Sequence, residues 1–163
     1  MISSHAAPRV WDVMSRDVIS VGPDDPRSEA AAELRLHHVA NLPVVNEHME
    51  VVGTIGPADL RRSRGHTVAQ VMTRPASTID EESPVTDAAD LLLRRRLTSV
   101  PVVSHGKLVG RISRTGLVTF LCRHMWVCGR CGALQRGLTP PEFCPECGGP
   151  AAGFQLEDSS PGL

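Results

Sequence analysis

Four of the five cysteines in this 163-residue chain lie near its C-terminus, in two copies of the motif C-x-x-C-G. The first copy reads CGRCG and begins at residue 128, and the second reads CPECG and begins at residue 144. The two residues between the cysteines let both sulfurs reach one ion, and the glycine allows a tight turn that brings backbone N–H groups toward the thiolates. Two such copies form a tetrahedral sulfur cage that suits zinc or a single iron ion. The spacing predicts one metal ion, held by Cys128, Cys131, Cys144 and Cys147.

The segment around these cysteines, residues 126–154, contains few apolar side chains. A core this small does not offset the conformational entropy lost on folding, whereas a structural metal ion contributes folding free energy directly. Disulfides are the alternative, but they require an oxidising compartment, and the N-terminal sequence MISSHAAPRVWD lacks the apolar core of a secretion signal. No apolar run approaches the roughly 20 residues of a membrane span. We therefore expect a cytoplasmic metal-binding protein without a membrane segment.

The same segment resembles a known metal-binding tail. Its pattern W-V-C-x-x-C-G, followed by P-P-E-x-C-P-x-C-G and a later phenylalanine, is similar to the rubredoxin-like tail of rubrerythrins and, more loosely, to zinc ribbons. The resemblance implies a small β ribbon, and in rubrerythrins the four cysteines bind iron that can carry an electron. One position differs, because Ala133 stands where an aromatic residue commonly follows the first motif. Sulfur ligands alone do not choose between the ions, so we favour zinc and keep iron as the alternative.

The first 120 residues contain an internal repeat with an offset of 58 residues. In this register V-M at 13–14 matches V-M at 71–72, and P-V-V at 43–45 matches P-V-V at 101–103. After these matches the offset drops to 57, which indicates a hairpin one residue shorter in the second copy. The chain is therefore expected to fold as two similar units before the ribbon begins.

Each copy has the pattern of a small α/β unit. In the first copy VISV at 18–21 predicts a short strand, and Asp25-Pro26 predicts a helix start with the aspartate as N-cap and the proline as first helical residue. Ser83-Pro84 gives the same signal in the second copy. A hairpin and a final helix complete each copy. The hairpin strands are predicted at 42–45, 50–55, 100–103 and 107–112, and the final helices at 58–63 and 115–124.

These units resemble the cystathionine-β-synthase (CBS) domain, with D-V-M near the start, L-P-V-V in the middle and G-x-I-x-x-x-D-L at the end. The resemblance implies an α+β fold, in which a tandem CBS pair (a Bateman module) of two β-α-β-β-α units with pseudo-two-fold symmetry precedes the ribbon. It places the first repeat at residues 9–63, the second at 67–123 and the ribbon at 126–154, with flexible tails at 1–8 and 155–163. It also implies a homodimer, and two clefts that bind adenine nucleotides in many relatives.

In ligand-binding relatives the end of each repeat reads G-h-x-[ST]-x-x-D, where the hydroxyl meets phosphate and the carboxylate accepts from the ribose hydroxyls. The first copy here keeps the carboxylate as Asp59 but has Gly56 instead of the hydroxyl. The second copy keeps Ser113 but has Gly116 instead of the carboxylate. A missing charged acceptor costs about 1.5–3 kcal/mol. We therefore expect weak binding of AMP, ATP or S-adenosylmethionine, with preference for the cleft that contains Asp59.

Other side chains are candidates to complete the clefts. Arg114 or Arg111 would hold phosphate with its forked guanidinium, and Thr78 or Thr98 would face the base or the ribose. The alternative interpretation of the motif aspartate and serine is structural, because each stands where it would cap or begin a helix. His37 and His38 are interpreted as residues of a helix face, and His124 as a surface residue rather than a further metal ligand.

The charge and the motifs together favour a regulatory protein. A net charge of −1 argues against a protein that mainly binds nucleic acid, and the sequence shows no Ser/His/Asp constellation, phosphate-binding glycine loop or paired catalytic carboxylates. We expect a sensor without enzyme activity, in which the CBS pair responds to a ligand and the ribbon serves as a structural element or as a docking surface for a protein partner. The alternative functions are electron transfer or redox sensing at an iron site, and binding of nucleic acid or the transcription machinery through the ribbon.

Overall fold

The computed structural model describes residues 8–62 and 64–158. Both repeats contain a short helix, a longer helix, a hairpin and a final helix. The first repeat consists of α1 (Val10–Val13), α2 (Arg27–Leu36), β1 (Leu42–Val45), β2 (Val51–Ile55) and α3 (Pro57–Arg62). The second consists of α4 (Val68–Val71), β3 (Ile79–Asp80), α5 (Val85–Arg94), β4 (Ser99–Ser104), β5 (Lys107–Ser113) and α6 (Arg114–Arg123). The ribbon consists of β6 (His124–Cys128), β7 (Leu134–Gln135), a 3-10 turn (Ala151–Gly153) and β8 (Phe154–Asp158).

The strand predicted at residues 18–21 is reduced to one bridge. Val21 pairs in parallel with Val44, whereas in the second repeat the two residues of β3 pair in parallel with β4. The residues after Val21 are Gly22-Pro23, and proline has no N–H with which to continue a ladder. The prediction of a four-residue strand is therefore wrong. The parallel pairing of Val21 with Val44 is nevertheless equivalent to the pairing of β3 with β4 in the second repeat.

The two longer helices begin one residue later than predicted. Pro26 and Pro84 have extended backbones, with ψ of 137° and 143°, and stand as N-caps before α2 and α5. The carboxylate of Asp25 accepts a hydrogen bond from the Gly22 N–H at 2.6 Å instead of capping the helix. The assignment of Asp25 as N-cap is therefore wrong, because the turn before the helix uses its carboxylate.

The short helices α1 and α4 are exchanged between the repeats. Val10 of α1 is completely buried in the core of the second repeat. Val68 and Val71 of α4 lie in the core of the first repeat. Each repeat therefore supplies apolar side chains that its neighbour needs, and the two cores depend on each other.

Backbone bridges show the same exchange. Arg9, at the start of the first repeat, pairs with Pro84 of the second. Thr67, which is 58 residues later than Arg9, pairs with Pro26, which is 58 residues earlier than Pro84. These reciprocal pairs place the repeats about a pseudo-two-fold axis, as the resemblance to a CBS pair implies.

The ribbon continues α6 without a loop, since the helix ends at Arg123 and β6 begins at His124. β6 is the central strand, with β7 and β8 antiparallel on either side of it. β8 extends to Asp158 because its backbone pairs with the whole length of β6. The ribbon is therefore longer than expected at both ends.

Part of the expected C-terminal tail is ordered. Residues 155–158 belong to β8, so they form a strand rather than a flexible tail. The rest of the expected tails, residues 1–7 and 159–163, lies outside the described residues, as does the predicted end of α3 at residue 63. None of the helices in the described ranges is long and apolar enough to span a membrane.

Candidate metal centre and ligand cleft

The sulfurs of the four C-terminal cysteines converge on one point of the ribbon. Their Sγ atoms lie within 4.8 Å of one another. The Cys128 and Cys147 sulfurs are 3.7 Å apart, and those of Cys131 and Cys144 are 3.6 Å apart. In a tetrahedral site with metal–sulfur distances of about 2.3 Å, neighbouring sulfurs are about 3.8 Å apart. The predicted cluster is therefore confirmed as a set of four thiols at metal-binding distance, and its geometry fits one tetrahedral ion.

The two C-x-x-C-G motifs form equivalent turns. Gly132 donates its N–H to the Cys128 carbonyl at 2.8 Å, and Gly148 makes the same bond to the Cys144 carbonyl at 2.8 Å. Both glycines have positive φ, 75° and 68°, which side chains with a Cβ rarely adopt. The first cysteine of each motif is buried and the second is more exposed. The glycines are therefore required by the turns that orient the sulfurs.

Backbone N–H groups favour the thiolate of Cys128. The N–H groups of Arg130 and Cys131 outweigh the effect of burial and lower the pKa of Cys128 to about 7. Cys131 behaves oppositely: the N–H of Ala133 favours its thiolate, but contact with the Cys147 sulfur, burial and the other thiols together raise its pKa to about 12. Because neighbouring thiolates repel one another, the cluster requires a cation to ionise fully.

The metal-binding turns rest on the small core of the ribbon. Trp126 and Phe154, which are 2% and 1% exposed, pack with Cys128 and Cys144. Ala133 is partly buried and packs against the same cluster. The Trp126 indole N–H donates to a backbone carbonyl of the loop after β7 at 3.0 Å. Two of the four buried residues are candidate metal ligands, so the ion and the apolar contacts would stabilise the same unit.

A second candidate site is a cavity of about 600 Å³ between the repeats. Its walls come from β5 and α6, the start of β4, the chain after α2, and α1. Its volume lies in the range of small-molecule sites. The side chains in the wall that suit a polar or charged ligand include His37, His38, Arg111, Ser113, Arg123 and His124.

The cavity wall carries more positive than negative groups. Arg111 and Arg123 are charged at neutral pH, and Asp12 is the only carboxylate among the lining residues. The Ser113 hydroxyl accepts a hydrogen bond from the Gly116 N–H at 3.0 Å and so caps α6, whose first turn lies in the wall. A helix N-terminus favours negative charge. The wall therefore suits an anionic ligand.

Of the four predicted nucleotide contacts, only Ser113 lines this cavity. Arg114 lies outside it, and its guanidinium donates to a backbone carbonyl of α5 at 3.1 Å. Thr78 also lies outside it, immediately before β3. Arg111 and Thr98, which the sequence offered as alternatives to these two, do line it.

Asp59, the remaining predicted contact, also lies outside the lining of this cavity. Its carboxylate accepts hydrogen bonds from the Gly56 N–H at 2.9 Å and from the Thr73 hydroxyl at 2.8 Å. Arg62 lies 3.6 Å from the same carboxylate. Asp59 thus stabilises the start of α3 and joins the first repeat to the second through Thr73.

Several lining residues are not marked by any motif. His37 and His38 follow α2 of the first repeat, yet they lie in a wall shared with α6 of the second. His124 and Arg123 lie where α6 meets the ribbon. Their polar side-chain types are the only sequence signal of a role, because the packing of the repeats brings together residues that are far apart in the chain.

Comparison with known proteins identifies the two repeats. The model of one protein family, the CBS domain, matches the chain twice, at residues 10–66 and 68–123. Together the matches cover more than half of the chain. The predicted tandem pair is confirmed.

One relative is similar over most of the chain, and another over the repeats. An uncharacterized 17.7 kDa protein of Acidianus ambivalens is 29% identical over 149 residues, with 87% of this chain and 90% of that protein covered. Since residues 1–123 are about three quarters of the chain, this match extends into the ribbon. The inosine-5'-monophosphate dehydrogenase of Thermoplasma acidophilum is 31% identical over 109 residues, which cover 66% of this chain but 22% of the dehydrogenase.

Solved structures of CBS pairs resemble the model. CBSX2, a protein of Arabidopsis thaliana, is 27% identical in its complex with AMP, with a TM-score of 0.64 over 68% of this chain and 93% of that one. The CBS-domain pair of protein MJ0100, in complex with 5'-methylthioadenosine and S-adenosyl-L-methionine, is 28% identical, with a TM-score of 0.64 over 70% and 95%. These matches cover nearly all of each solved chain, so the added feature of this protein is its ribbon.

Proposed function

The chain belongs to the CBS-domain family, and we propose that it is a regulatory module without enzyme activity, whose ligand is an adenine nucleotide in the cleft beside α6. The observation that carries the proposal is the cavity of about 600 Å³ with Arg111, Arg123 and the first turn of α6 in its wall. Two structural relatives bind adenosine compounds: AMP in one, methylthioadenosine and S-adenosylmethionine in the other. The cavity and the ligands of these relatives together favour an adenosine compound as the ligand.

The charge of the wall favours AMP or ATP over S-adenosylmethionine. Arginine guanidinium groups form strong, forked hydrogen bonds with phosphate oxygens. The first turn of α6 adds the positive end of the helix dipole, although its Arg114 and Gly116 N–H groups already donate to the Thr98 carbonyl and the Ser113 hydroxyl. S-adenosylmethionine carries a positive sulfonium centre, which Arg111 and Arg123 would repel.

The ribose is the weak point of the proposed complex. Gly116 stands where ligand-binding relatives have a carboxylate, and Asp12 is the only carboxylate in the wall. We therefore place most of the affinity in the phosphate contacts. The proposal uses the cleft with Ser113 rather than the one with Asp59, because the Asp59 carboxylate already accepts two hydrogen bonds within the protein.

Calorimetric titration with AMP, ATP and S-adenosylmethionine tests this proposal. AMP or ATP should bind, and Arg111→Ala should weaken AMP binding about tenfold or more, because a charged hydrogen bond is lost. Arg61→Ala removes an exposed arginine of α3 outside the cavity and should leave binding unchanged. Equal AMP affinity in the wild type and in Arg111→Ala would contradict the proposed site.

The proposal for the ribbon is a structural zinc ion that supports a docking surface for a protein partner. Its support is the tetrahedral spacing of four sulfurs beside a core of only four buried residues. Iron is the second candidate, because Cys131 is exposed and an exposed sulfur suits electron transfer to another protein. Metal analysis together with the visible spectrum separates the two: stoichiometric zinc without colour supports the first, and reversible bleaching of a red protein by reductant supports the second.

A homodimer through the CBS pair completes the proposal. Leu36 at the end of α2 and Leu93 on α5 are 69% and 65% exposed, which leaves apolar surface on equivalent helices of the two repeats. Native mass spectrometry of the metal-loaded protein should show a dimer, and a monomer at micromolar concentration would contradict this part of the proposal.

A further inference from the structure

The junction between α6 and β6 belongs to the cleft and to the ribbon at once. His124 is the first residue of β6, and its backbone N–H donates to the Phe120 carbonyl to end α6. Its ring Nδ1 lies 3.1 Å from the same carbonyl oxygen, and the ring stacks on Phe120 with centroids 4.3 Å apart. Both residues line the 600 Å³ cavity, as does Arg123, the last residue of α6. The central strand of the ribbon therefore begins in the cavity wall.

The ribbon contacts the same end of α6 at a second point. Arg136, which follows β7, donates from one guanidinium nitrogen to the carbonyls of Leu121 and Cys122, both at 3.1 Å. Carbonyls in the last turn of a helix lack helical partners, and a positive side chain there is favourable. Leu138 of the same loop packs against the core of the second repeat. The loop between the two cysteine motifs thus holds the helix end that carries Arg123 and His124.

The order of that loop depends on the metal ligands at its two ends. The loop runs from Cys131 to Cys144, whose sulfurs are 3.6 Å apart. Apart from Trp126 and Phe154, the buried side chains of the ribbon core belong to Cys128 and Cys144 of the metal cluster. In small cysteine-bound units the free energy of metal binding is the free energy of folding. Loss of the ion should therefore release Arg136 and Leu138 from the CBS pair.

We infer that the metal-bound ribbon holds the part of the cleft wall at the end of α6, and that metal binding at the four cysteines orders Arg123 and His124 for ligand binding. This inference rests on the proposed function for the identity of the ligand, but the ordering of the wall does not depend on it. The two sites then strengthen each other, because a coupling free energy between sites is reciprocal. The end of α6 has two states: the ribbon holds it in the metal-bound protein, and it frays in the metal-free protein.

Hydrogen exchange of the full-length protein tests the ordering without any ligand. Removal of the metal by a chelator should speed amide exchange in residues 117–124, while α2 and α5 keep their protection. Arg136→Ala, loaded with metal, should speed exchange in the same residues. Arg61→Ala is the matched control, since Arg61 is an exposed arginine of α3 that lies outside the ribbon and outside the cavity wall, and it should change nothing. Unchanged exchange of residues 117–124 in the stripped protein, or equal loss in α2 and α5, overturns the inference.

Calorimetry with AMP tests the coupling. The Kd for AMP should rise about fivefold or more on metal removal and also in metal-loaded Arg136→Ala, but not in Arg61→Ala. Equal Kd values with and without metal overturn the inference and leave the proposed nucleotide function standing. If the metal-loaded wild type binds no AMP, the proposed function fails, and the exchange experiment alone decides whether the ribbon orders the wall.

Discussion

Asn41 and Ser99 occupy the same position in the two repeats and hydrogen-bond to each other. The Ser99 hydroxyl donates to the Asn41 side-chain oxygen at 3.0 Å, and the Asn41 amide nitrogen lies 3.5 Å from the Ser99 carbonyl oxygen. Ser99 is 5% exposed and is the one buried polar residue in the part of the chain that the structure describes. The pseudo-two-fold axis passes between these two residues, so the bond joins the repeats at their centre.

Removal of one partner of this bond should destabilise the protein. Asn41→Ala leaves the buried Ser99 hydroxyl without its acceptor, and we expect a loss of about 1–3 kcal/mol in the free energy of unfolding. Urea unfolding measures it. The control is the double variant Asn41→Ala/Ser99→Ala, which removes both polar groups and should cost less than the sum of the single variants. Additive losses would show that the two residues do not interact.

A methyl group at Gly110 should disturb the packing of the segment after α1 against β5 of the second repeat. A Cβ there would lie 2.5 Å from the Met14 sulfur and 3.0 Å from the Ser15 carbonyl oxygen. We expect Gly110→Ala to lower the free energy of unfolding by about 1–3 kcal/mol, as overpacking does. Gly153→Ala is the control, because a Cβ at Gly153 would meet no atom within 4 Å. Equal stability of the two variants would contradict the close packing at Gly110.

Metal removal should unfold the ribbon and leave the CBS pair folded. Trp126 is 2% exposed in the ribbon core, and Trp11 is the only other tryptophan, so Trp11→Phe isolates the emission of Trp126. In this background a chelator or Cys144→Ser should shift the emission to longer wavelength, because the indole becomes solvated. Cys122→Ser alters an exposed cysteine outside the metal cluster and should have no effect. Unchanged Trp126 emission in the stripped protein would show that the ribbon folds without an ion.

Two substitutions at Ser113 should separate its capping role from its place in the cleft. Ser113→Ala removes the acceptor for the Gly116 N–H and should cost about 0.5–2 kcal/mol of stability. Ser113→Asp keeps a capping oxygen, so stability should stay near that of the wild type, but its negative charge in the wall should abolish AMP binding. Thermal unfolding and calorimetry on both variants provide the two measurements. AMP binding of wild-type strength in Ser113→Asp would place the phosphate elsewhere.

Local sequence patterns are sufficient to predict the parts of the protein whose contacts lie between near neighbours in the chain. The C-x-x-C-G motifs specify turns that need glycine at positive φ, and these turns appear at Gly132 and Gly148. The 58-residue repeat predicted two similar units, and the hairpin positions follow from runs of apolar residues bounded by turns. Such features require interactions only between near neighbours in the chain, so they can be inferred without coordinates.

Only the tertiary structure decided which distant residues share a site. The repeats exchange α1 and α4, and His37 and His38 of the first repeat line the same cavity as Arg111 of the second. Asp59 belongs to the nucleotide motif in the sequence, but its carboxylate accepts hydrogen bonds from the start of α3 and from Thr73. The bond of Arg136 to the end of α6 likewise has no sequence signal. The contacts between the two repeats, and between the ribbon and α6, depend on burial and on the shapes of surfaces that are distant in the chain. A local sequence pattern does not encode these properties.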